Sequence, residues 1–335
     1  MNPVEALRRI AFLLERSHEP TYRVRAFRTA ADVVAALAPE ELSQRAAAGT
    51  LKELRGVGAV TATVVEQAAR GELPAYLQKL QGGAEQPVTA GGQGMRAALR
   101  GDCHTHSSWS DGGSPIREMA EAARDIGHEY VVLTDHSPRL TVANGLTAER
   151  LREQLDVVAE LNEELAPFRI LTGIEVDILE DGTLDQSEDL LERLDLVVAS
   201  VHSKLRMDRE YMTRRMVRAV ANPHTDVLGH CTGRLLSGRG RPESDFDHEL
   251  VFEACHRFDV AVEINSRPER LDPPKRLLRM AAEIGCRFSI DTDAHAPGQL
   301  DWLPYGCARA EECDIPADHV MNTRSAQELL KWTAS

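Results

Sequence analysis

Apolar residues in the first 80 positions recur with the spacing of amphipathic helices. The pattern covers Val4 to Leu14, Val24 to Leu37 and Val60 to Ala69, and no strand-like alternation interrupts it. A helix shows an apolar stripe every three to four residues, whereas a half-buried strand alternates at every second residue. We therefore predict a small all-helical domain at residues 1–81.

From residue 99 onward, short β-branched runs alternate with amphipathic helical segments. The predicted strands are Leu99 to Cys103, Tyr130 to Thr134, Ile170 to Ile174, Leu196 to Ser200, Asp226 to Gly229, Val260 to Ile264 and Arg287 to Ile290. The predicted helices between them include Ser114 to Ile126, Ala148 to Leu165, Arg209 to Ala221, Phe246 to Arg257 and Pro274 to Ile284. Repeated strand–helix units favour parallel pairing with right-handed crossovers. The pattern predicts an α/β fold in which seven strands form a closed barrel, with an open doubly wound sheet as the alternative.

Neither pattern extends through the segment between the two regions. Gly82 to Gly94 contains five glycines and one proline, and almost no large apolar side chain. Such a composition is typical of a flexible connector. We therefore predict a linker at 82–98 and a second domain at 99–335.

Histidines and carboxylates collect just past the predicted strands. In order along the chain they are His104, His106, Asp111, Asp135, His136, Glu175, Asp177, His202, His230, Glu263, Asp293 and His295, with Asn265 beside the sixth strand. The carboxyl ends of parallel barrel strands meet on one face, where active sites of such barrels are built. The sequence therefore predicts one pocket with many ligands.

A single histidine is more often a core or surface residue than a metal ligand. That interpretation is kept for the six histidines away from strand ends, which are His18, His128, His224, His248, His256 and His319. The other six of the twelve all follow predicted strands, and chance placement explains this poorly.

The donor types at the strand ends indicate a transition-metal site. Imidazole with carboxylate, and without a thiolate cluster, suits Zn, Mn, Fe or Co rather than Mg or Ca alone. The six cysteines form no CxxC pair and are expected to be reduced core residues. Too many ligands are present for one ion, so we expect two or three divalent ions that clamp a phosphate and activate water. This predicts hydrolysis of a phosphate ester.

The charge of −14 argues against a protein that coats nucleic acid without specificity. Residues 1–80 nevertheless contain 11 Lys or Arg against 9 Asp or Glu, so the acidity belongs to the larger region. No stretch approaches the roughly 18 apolar residues of a membrane span, and the charged, amphipathic start differs from a signal peptide. We expect a cytoplasmic protein without a membrane partner.

The run Leu54-Arg55-Gly56-Val57-Gly58 precedes the helical pattern Val60 to Ala69 and looks like a helix-hairpin-helix. In that motif the glycines let backbone amides and a helix N-terminus approach a DNA phosphate. Gly56 and Gly58 are therefore candidate DNA-binding residues. A simple turn between two helices is the alternative, and the motif alone does not decide.

Six ordered motifs resemble those of the PHP (polymerase and histidinol phosphatase) domain. They are D-x-H-T-H-S-x-x-S-D-G (102–112), T-D-H-S (134–137), G-I-E-V-D-I (173–178), V-A-S-V-H-S (198–203), G-H-C-T-G-R (229–234) and T-D-A-H (292–295). The similarity is greatest to the PHP domain of bacterial family X DNA polymerases, through the segments 175–185, 263–272 and 321–325.

The resemblance implies a distorted seven-stranded barrel with a trinuclear metal site. It assigns His104, His106, Glu175 and Asp293 to one ion, Glu175, His202 and His230 to a second, and Asp111, His136 and His295 to a third. His104, His106, Glu175, His202 and Asp293 would then form the catalytic centre around Mn, Zn or Fe. Arg234 and Arg267 would contact the phosphate, although a surface salt bridge is the alternative for each.

The small domain also resembles these polymerases, at Y-R-V-R-A-F-R-x-A-A (22–31) and L-x-E-L-R-G-V-G (51–58). The short linker cannot contain the polymerase palm, so polymerase activity is excluded. Val60 and Val64 occupy the positions of the lyase lysines of this domain, so Schiff-base lyase chemistry is not expected.

Three functional hypotheses follow. The first is a DNA phosphodiesterase, a 3′-5′ exonuclease that could also cut at abasic sites in DNA repair. The second is a phosphomonoesterase for a small metabolite such as histidinol phosphate. The third is a non-catalytic scaffold in which the metals only stabilise the barrel.

Overall fold

The structure is a computed structural model that describes residues 1–84 and 88–334. The chain divides into two compact units, Met1–Pro87 and Val88–Ser335. Each unit has its own apolar core. None of the described helices is both long and apolar enough to span a membrane.

The first unit is entirely helical in its described part, as the apolar spacing predicts. Its helices are α1 (Pro3–Arg16), α2 (Thr21–Ala35), α3 (Pro39–Ala48), α4 (Ala59–Ala69) and α5 (Ala75–Ala84). Helix α1 begins with a capping box, because Asn2 accepts from the Val4 amide at 2.8 Å while Glu5 accepts from the Asn2 amide at 3.2 Å. Its apolar face, with Leu7, Ile10 and Leu14 fully buried, packs against α2, α4 and α5.

The two glycines of the hairpin before α4 have different roles. Gly56 has φ +97°, and a Cβ there would lie 2.8 Å from Thr29 Cγ2 on α2. Gly58 has an ordinary φ of −91° and open space around it, and its amide donates to Thr61 Oγ1 at 2.9 Å. Gly56 is therefore required by the fold, whereas Gly58 leaves the start of α4 approachable.

The second unit is an α/β barrel whose strands alternate with helices. In chain order its elements are α6 (Gln93–Ala98), β1 (Gly101–Thr105), α7 (Ile116–Asp125), β2 (Tyr130–Leu133), α8 (Ala148–Leu165), β3 (Arg169–Asp177), α9 (Glu188–Leu191), β4 (Leu196–Ser200), α10 (Arg209–Val220), β5 (Val227–Leu228), α11 (His248–Arg257), β6 (Ala261–Asn265), α12 (Lys275–Ile284), β7 (Phe288–Asp291), α13 (Leu303–Glu312) and α14 (Ala326–Thr333). The strands follow one another in sequence order around the sheet, and every neighbouring pair is parallel. The predicted barrel is confirmed, and the open doubly wound alternative is wrong.

The barrel is nearly closed because side chains complete the seam between β1 and β7. Asp291 Oδ1 accepts from the Cys103 amide at 2.8 Å, and Asp102 accepts from the Thr292 amide at 3.3 Å. The Asn322 amide group donates to the carbonyl oxygens of Gly101, at 3.0 Å, and Ile290, at 2.6 Å. Together with the His106 amide, which donates to the Ala294 carbonyl at 2.8 Å, these buried groups join the two strands in place of a regular backbone ladder.

The predicted connector is shorter in the structure than 82–98. Helix α5 continues through Gly82 and Gly83, and α6 occupies Gln93–Ala98; residues 85–87 of the prediction lie outside the described residues. Glu311 on α13 fixes the second helix by accepting from the amides of Gly92 at 2.7 Å and Met95 at 3.0 Å. A contact between residues so distant in sequence leaves no trace in local composition.

We expect Gly56→Ala to destabilise the first unit by about 2 kcal/mol or more, because alanine at positive φ is strained and its methyl would meet Thr29. Gly58→Ala should cost less than about 1 kcal/mol, the usual scale for a helix N-cap. Hydrogen–deuterium exchange of peptides from residues 1–84 in the full chain measures both effects. Equal protection in the two variants would contradict the assignment of roles.

Candidate metal centre

The nine residues assigned to metals by resemblance lie together at the carboxyl ends of the strands. His104 is on β1, Glu175 on β3, and the others follow directly on strand ends or lie in the adjoining loops. All except Asp111 are buried or half-buried. The alternation of strand and helix therefore brings residues from 104 to 295 to one face of the barrel.

Glu175 is at the centre of this group, with five imidazole rings around its carboxylate. Oε1 lies 2.9 Å from His230 Nε2 and 3.1 Å from His202 Nε2. Oε2 lies 2.9 Å from His136 Nδ1, and His104 Nε2 and His106 Nε2 follow at 3.3 Å and 3.5 Å. The carboxylate is 1% exposed. Its two oxygens therefore face two separate sets of ring nitrogens.

A second group of donors lies beside His106. Asp111 Oδ1 is 3.3 Å from His295 Nε2 and 3.5 Å from His136 Nε2. The rings of His106 and His295 stack with centroids 4.1 Å apart, and Asp293 Oδ1 lies 3.5 Å from His106 Nε2. All nine predicted ligands are thus within one connected cluster.

Three sets of donor atoms in the described chain are close enough to share an ion, each within 4.8 Å. They are His106, Asp111, His136 and His295; His104, His106 and Glu175; and His136, Glu175 and His202. These sets overlap the division implied by resemblance, but His106 and His136 each belong to two of the three sets.

The cluster fits divalent cations because its donor atoms lack hydrogen-bond partners. Buried atoms without one include His104 Nε2, both ring nitrogens of His106, and both oxygens of Glu175. Buried polar groups are normally satisfied, and unsatisfied ones that converge on one point indicate a ligand. Nitrogen and oxygen donors in this mixture suit zinc, manganese or iron.

Electrostatics favour the metal-binding form of two of these residues. Burial, together with His295 and His136, lowers the pKa of His106 well below its usual value. Burial alone would raise the pKa of Glu175, but His202, His104 and His136 lower it well below its usual value. A neutral imidazole and an ionised carboxylate are the ligand forms of these side chains. For two other histidines the direction is opposite: against the effect of burial, Glu175 raises the pKa of His202 to about 9 and that of His104 well above its usual value.

A further carboxylate, Glu263 on β6, orients two of the histidines from outside the donor cluster. Its Oε1 lies 2.7 Å from His104 Nδ1, and its Oε2 accepts from the backbone amide of His230. Asp177 pairs in the same way with His202 Nδ1. Such partners fix the ring orientation and tautomer of a ligand. Sequence reasoning placed both carboxylates at strand ends but gave them no function.

Asp135, the residue before His136, holds the loop between His106 and Asp111 in place through hydrogen bonds. Its fully buried carboxylate accepts from the Ser107 amide at 2.8 Å, the Ser107 hydroxyl at 2.6 Å and Gln154 Nε2 at 2.7 Å. The Ser110 amide donates to it at 3.2 Å. The two serines of the first motif are therefore explained by this carboxylate.

Two arginines, Arg267 and Arg270, contact Asp293 of the cluster, whereas Arg234 contacts the loop that carries them. Arg234 Nε donates to the Arg270 carbonyl at 3.0 Å, and its Nη2 donates to the Leu271 carbonyl, so most of its guanidinium supports a loop. Arg267 Nη1 donates to the Asp293 carbonyl at 3.0 Å. Arg270, which sequence reasoning missed, has Nε 3.2 Å from Asp293 Oδ2. The position of Arg270 within the motif 263–272 is the sequence feature that could have identified it.

Comparison with known families matches both units. The helix-hairpin-helix domain matches residues 2–72, and the PHP domain matches residues 102–267. The stretch between the two matches is too short for a polymerase palm.

Two relatives illustrate the range of similar proteins. The DNA polymerase/3'-5' exonuclease PolX of Bacillus subtilis (strain 168) is 42% identical over 231 residues, which are 69% of this chain but only 40% of that protein. A probable phosphatase of Thermoanaerobacter sp. (strain X514) is 29% identical over 66% of this chain and 89% of its own length.

Among solved structures, the histidinol phosphate phosphatase of Lactococcus lactis, complexed with zinc, L-histidinol and phosphate, aligns with a TM-score of 0.48 and 18% identity. The alignment covers 65% of this chain and 95% of that one. The two domain matches, the barrel and the sequence relatives agree on one class of enzyme. The chain belongs to the PHP-domain phosphoester hydrolases and has a helix-hairpin-helix domain that precedes the barrel in the sequence.

Proposed function

We propose that this hydrolase is a DNA phosphodiesterase that removes nucleotides from a 3′ end. The observation that carries the proposal is the presence, on one chain, of the Glu175-centred donor cluster and a helix-hairpin-helix unit. A compact metabolite needs no such second unit, whereas a DNA strand extends well beyond the phosphate that is cut. The 42% identity to a protein named as a 3'-5' exonuclease supports this choice.

The nine clustered residues would hold two or three divalent ions. His104, His106, Glu175 and Asp293 would hold one ion, and Glu175, His202 and His230 a second. Asp111, His136 and His295 would hold the third. When bound, such ions supply Lewis-acid activation of water and of the phosphate.

Arg267 and Arg270 would neutralise the phosphate oxygens beside the ions. Both side chains are mostly buried next to Asp293, and only part of each guanidinium is engaged there. A guanidinium in that position can form two parallel hydrogen bonds to phosphate. Arg234 stays a predicted phosphate contact, although its Nη1 lies 3.9 Å from Glu243 Oε1, which favours the alternative of a salt bridge.

The first unit would hold the duplex or the strand through the start of α4. The first amides of a helix have no acceptor within the helix, and the unsubstituted Gly58 lets a phosphate approach them. Gly56 contributes by shaping the turn rather than by touching DNA.

A metabolite phosphomonoesterase is the second candidate. It is favoured by the relative named as a probable phosphatase, which aligns over 89% of its length with the PHP region.

The two candidate functions can be distinguished by testing which substrate the purified enzyme hydrolyses. We expect manganese- or zinc-loaded protein to shorten a 5′-labelled single-stranded oligonucleotide from its 3′ end, with histidinol phosphate as the comparison substrate. Hydrolysis of histidinol phosphate without any shortening of the oligonucleotide would overturn the proposal and favour the second candidate.

Removal of the metals should abolish hydrolysis of every phosphate ester. We expect EDTA treatment followed by desalting to reduce the activity below about 1% of its initial value, and Mn²⁺ or Zn²⁺ to restore it. Metal analysis before and after treatment should show a loss of two to three ions per chain. Full activity in metal-free protein would contradict the assignment of the site.

Glu263→Gln should weaken metal binding about 10- to 100-fold, the scale of a lost partner behind a ligand histidine. The amide nitrogen of glutamine cannot accept from the His230 amide, so one of the two anchors is lost. Glu253→Gln on the exposed side of α11 is the matched control. Metal content after dialysis against a weak chelator measures the effect. Equal retention of metal in both variants would contradict the prediction.

A further inference from the structure

Charge is distributed unevenly among the loops that surround the metal centre. The loops after β1, β2 and β3 (106–115, 134–147 and 178–187) contain a single basic residue, Arg139. The loops after β4, β5 and β6 (201–208, 229–247 and 266–274) contain seven: Lys204, Arg206, Arg234, Arg239, Arg241, Arg267 and Arg270. In a chain of net charge −14, this concentration on one side of the mouth requires an explanation.

The same three loops also contain six acidic residues, and three of these accept hydrogen bonds from backbone amides. Asp208 accepts from the Glu210 amide at 3.0 Å, and Asp247 accepts from the Leu250 amide at 3.1 Å, so both cap helices. Buried Asp272 accepts from the Thr232 amide at 3.1 Å. Asp247 also pairs with Arg209 at 3.3 Å, and the three remaining carboxylates, Glu243, Asp245 and Glu269, pair with Arg276, Arg209 and Arg267. All six acidic residues of these loops are therefore engaged within the protein.

The exposed cations of this side are unpaired. Lys204, Arg206 and Arg239 form no ion pair or side-chain hydrogen bond within the described residues, and all three are exposed. On the other side of the mouth, the loop after β3 contains Glu180, Asp181 and Asp185 and no basic residue, although Asp181 lies 3.9 Å from Arg218 of α10. One side of the mouth therefore attracts a polyanion and the other repels it.

The three basic loops form one continuous surface. Leu205 of the first loop lies against Gly233 of the second, where an added Cβ would come within 2.8 Å of Leu205 Cδ2. The second and third loops are joined by the Leu236 amide, which donates to the Glu269 carbonyl at 2.6 Å. We call the surface formed by 201–208, 229–247 and 266–274 the basic shelf.

The basic shelf begins at the donor cluster itself. Lys204 follows His202 by two residues, and the Gly233 amide donates to the His230 carbonyl at 2.9 Å. Arg267 reaches the Asp293 carbonyl at 3.0 Å. Basic residues therefore occur in the same loops as His202 and His230, and Arg267 contacts a third residue of the cluster, Asp293.

We propose that the basic shelf carries the sugar–phosphate backbone of a single DNA strand, which leaves the metal centre across the β4–β6 loops and not across the β1–β3 loops. The inference rests on the proposed DNA phosphodiesterase activity and adds the path of the substrate. The recognition is electrostatic and independent of base sequence, as in other channels for single strands. A small phosphate ester occupies only the ions and their immediate arginines.

The test compares two triple variants of the full metal-loaded protein with the same change of charge. The shelf variant is Lys204→Gln, Arg206→Gln and Arg239→Gln. The control is Arg169→Gln, Arg193→Gln and Arg257→Gln, whose exposed side chains lie near the opposite ends of the strands. The substrates are a single-stranded oligonucleotide of about 20 nucleotides, long enough to span several shelf contacts, and bis(p-nitrophenyl) phosphate.

For the shelf variant we expect kcat/KM on the oligonucleotide to fall at least about tenfold, and its dependence on log salt concentration to weaken by about 2, as three lost contacts to a single strand predict. The ratio of oligonucleotide to small-diester activity should fall with it. Arg206→Gln alone should give about a third of the change in salt dependence. The control should keep the ratio of the unmodified protein.

An unchanged ratio in the shelf variant, or an equal fall in both triple variants, would contradict the proposed role of the basic shelf. The proposal of a DNA phosphodiesterase would not be affected. A protein that hydrolyses the small diester but never shortens the oligonucleotide would refute the proposed function, and the shelf with it.

Discussion

A carboxylate buried among imidazoles is the constraint on which the catalytic unit depends. Glu175 is 1% exposed and has ring nitrogens of five histidines around its two oxygens. An isolated ion in such a place costs several kcal/mol in desolvation, so the arrangement is sustainable only with compensating positive charge. The surrounding carboxylates, Glu263 and Asp177, hold the rings so that their nitrogens face Glu175. The polar side chains at this end of the barrel follow from this one requirement.

The fold could be predicted because two different periodicities meet at a clear boundary. The strand Leu196 to Ser200 and the helix Ala148 to Leu165 were predicted at the bounds the structure shows, since both are long apolar patterns with clear ends. The strand predicted at Asp226 to Gly229 is reduced to Val227 and Leu228. At its start the Val197 amide donates to the Asp226 carboxylate at 2.7 Å, a side-chain contact that the local pattern does not encode.

The donor cluster was equally accessible to sequence reasoning, because parallel strands bring their carboxyl ends together whatever their exact bounds. The supporting residues were not. Asn322 completes the seam from a position far from every ligand, and Asp135 acts through two serines of another motif. Such residues reveal their roles only through contacts across long stretches of chain. The partial engagement of Arg234 by loop carbonyls is of the same kind.

The seam between β1 and β7 also bears on when the enzyme becomes active. His104 and His106 are at the first strand of the barrel, whereas Asp293 and His295 follow the last strand and are made much later in the synthesis of the chain. During synthesis, a ribosome-bound chain that has emerged only as far as β6 lacks these later donors and the strand that closes the barrel. The hydrolytic centre therefore cannot be complete on a partly translated chain.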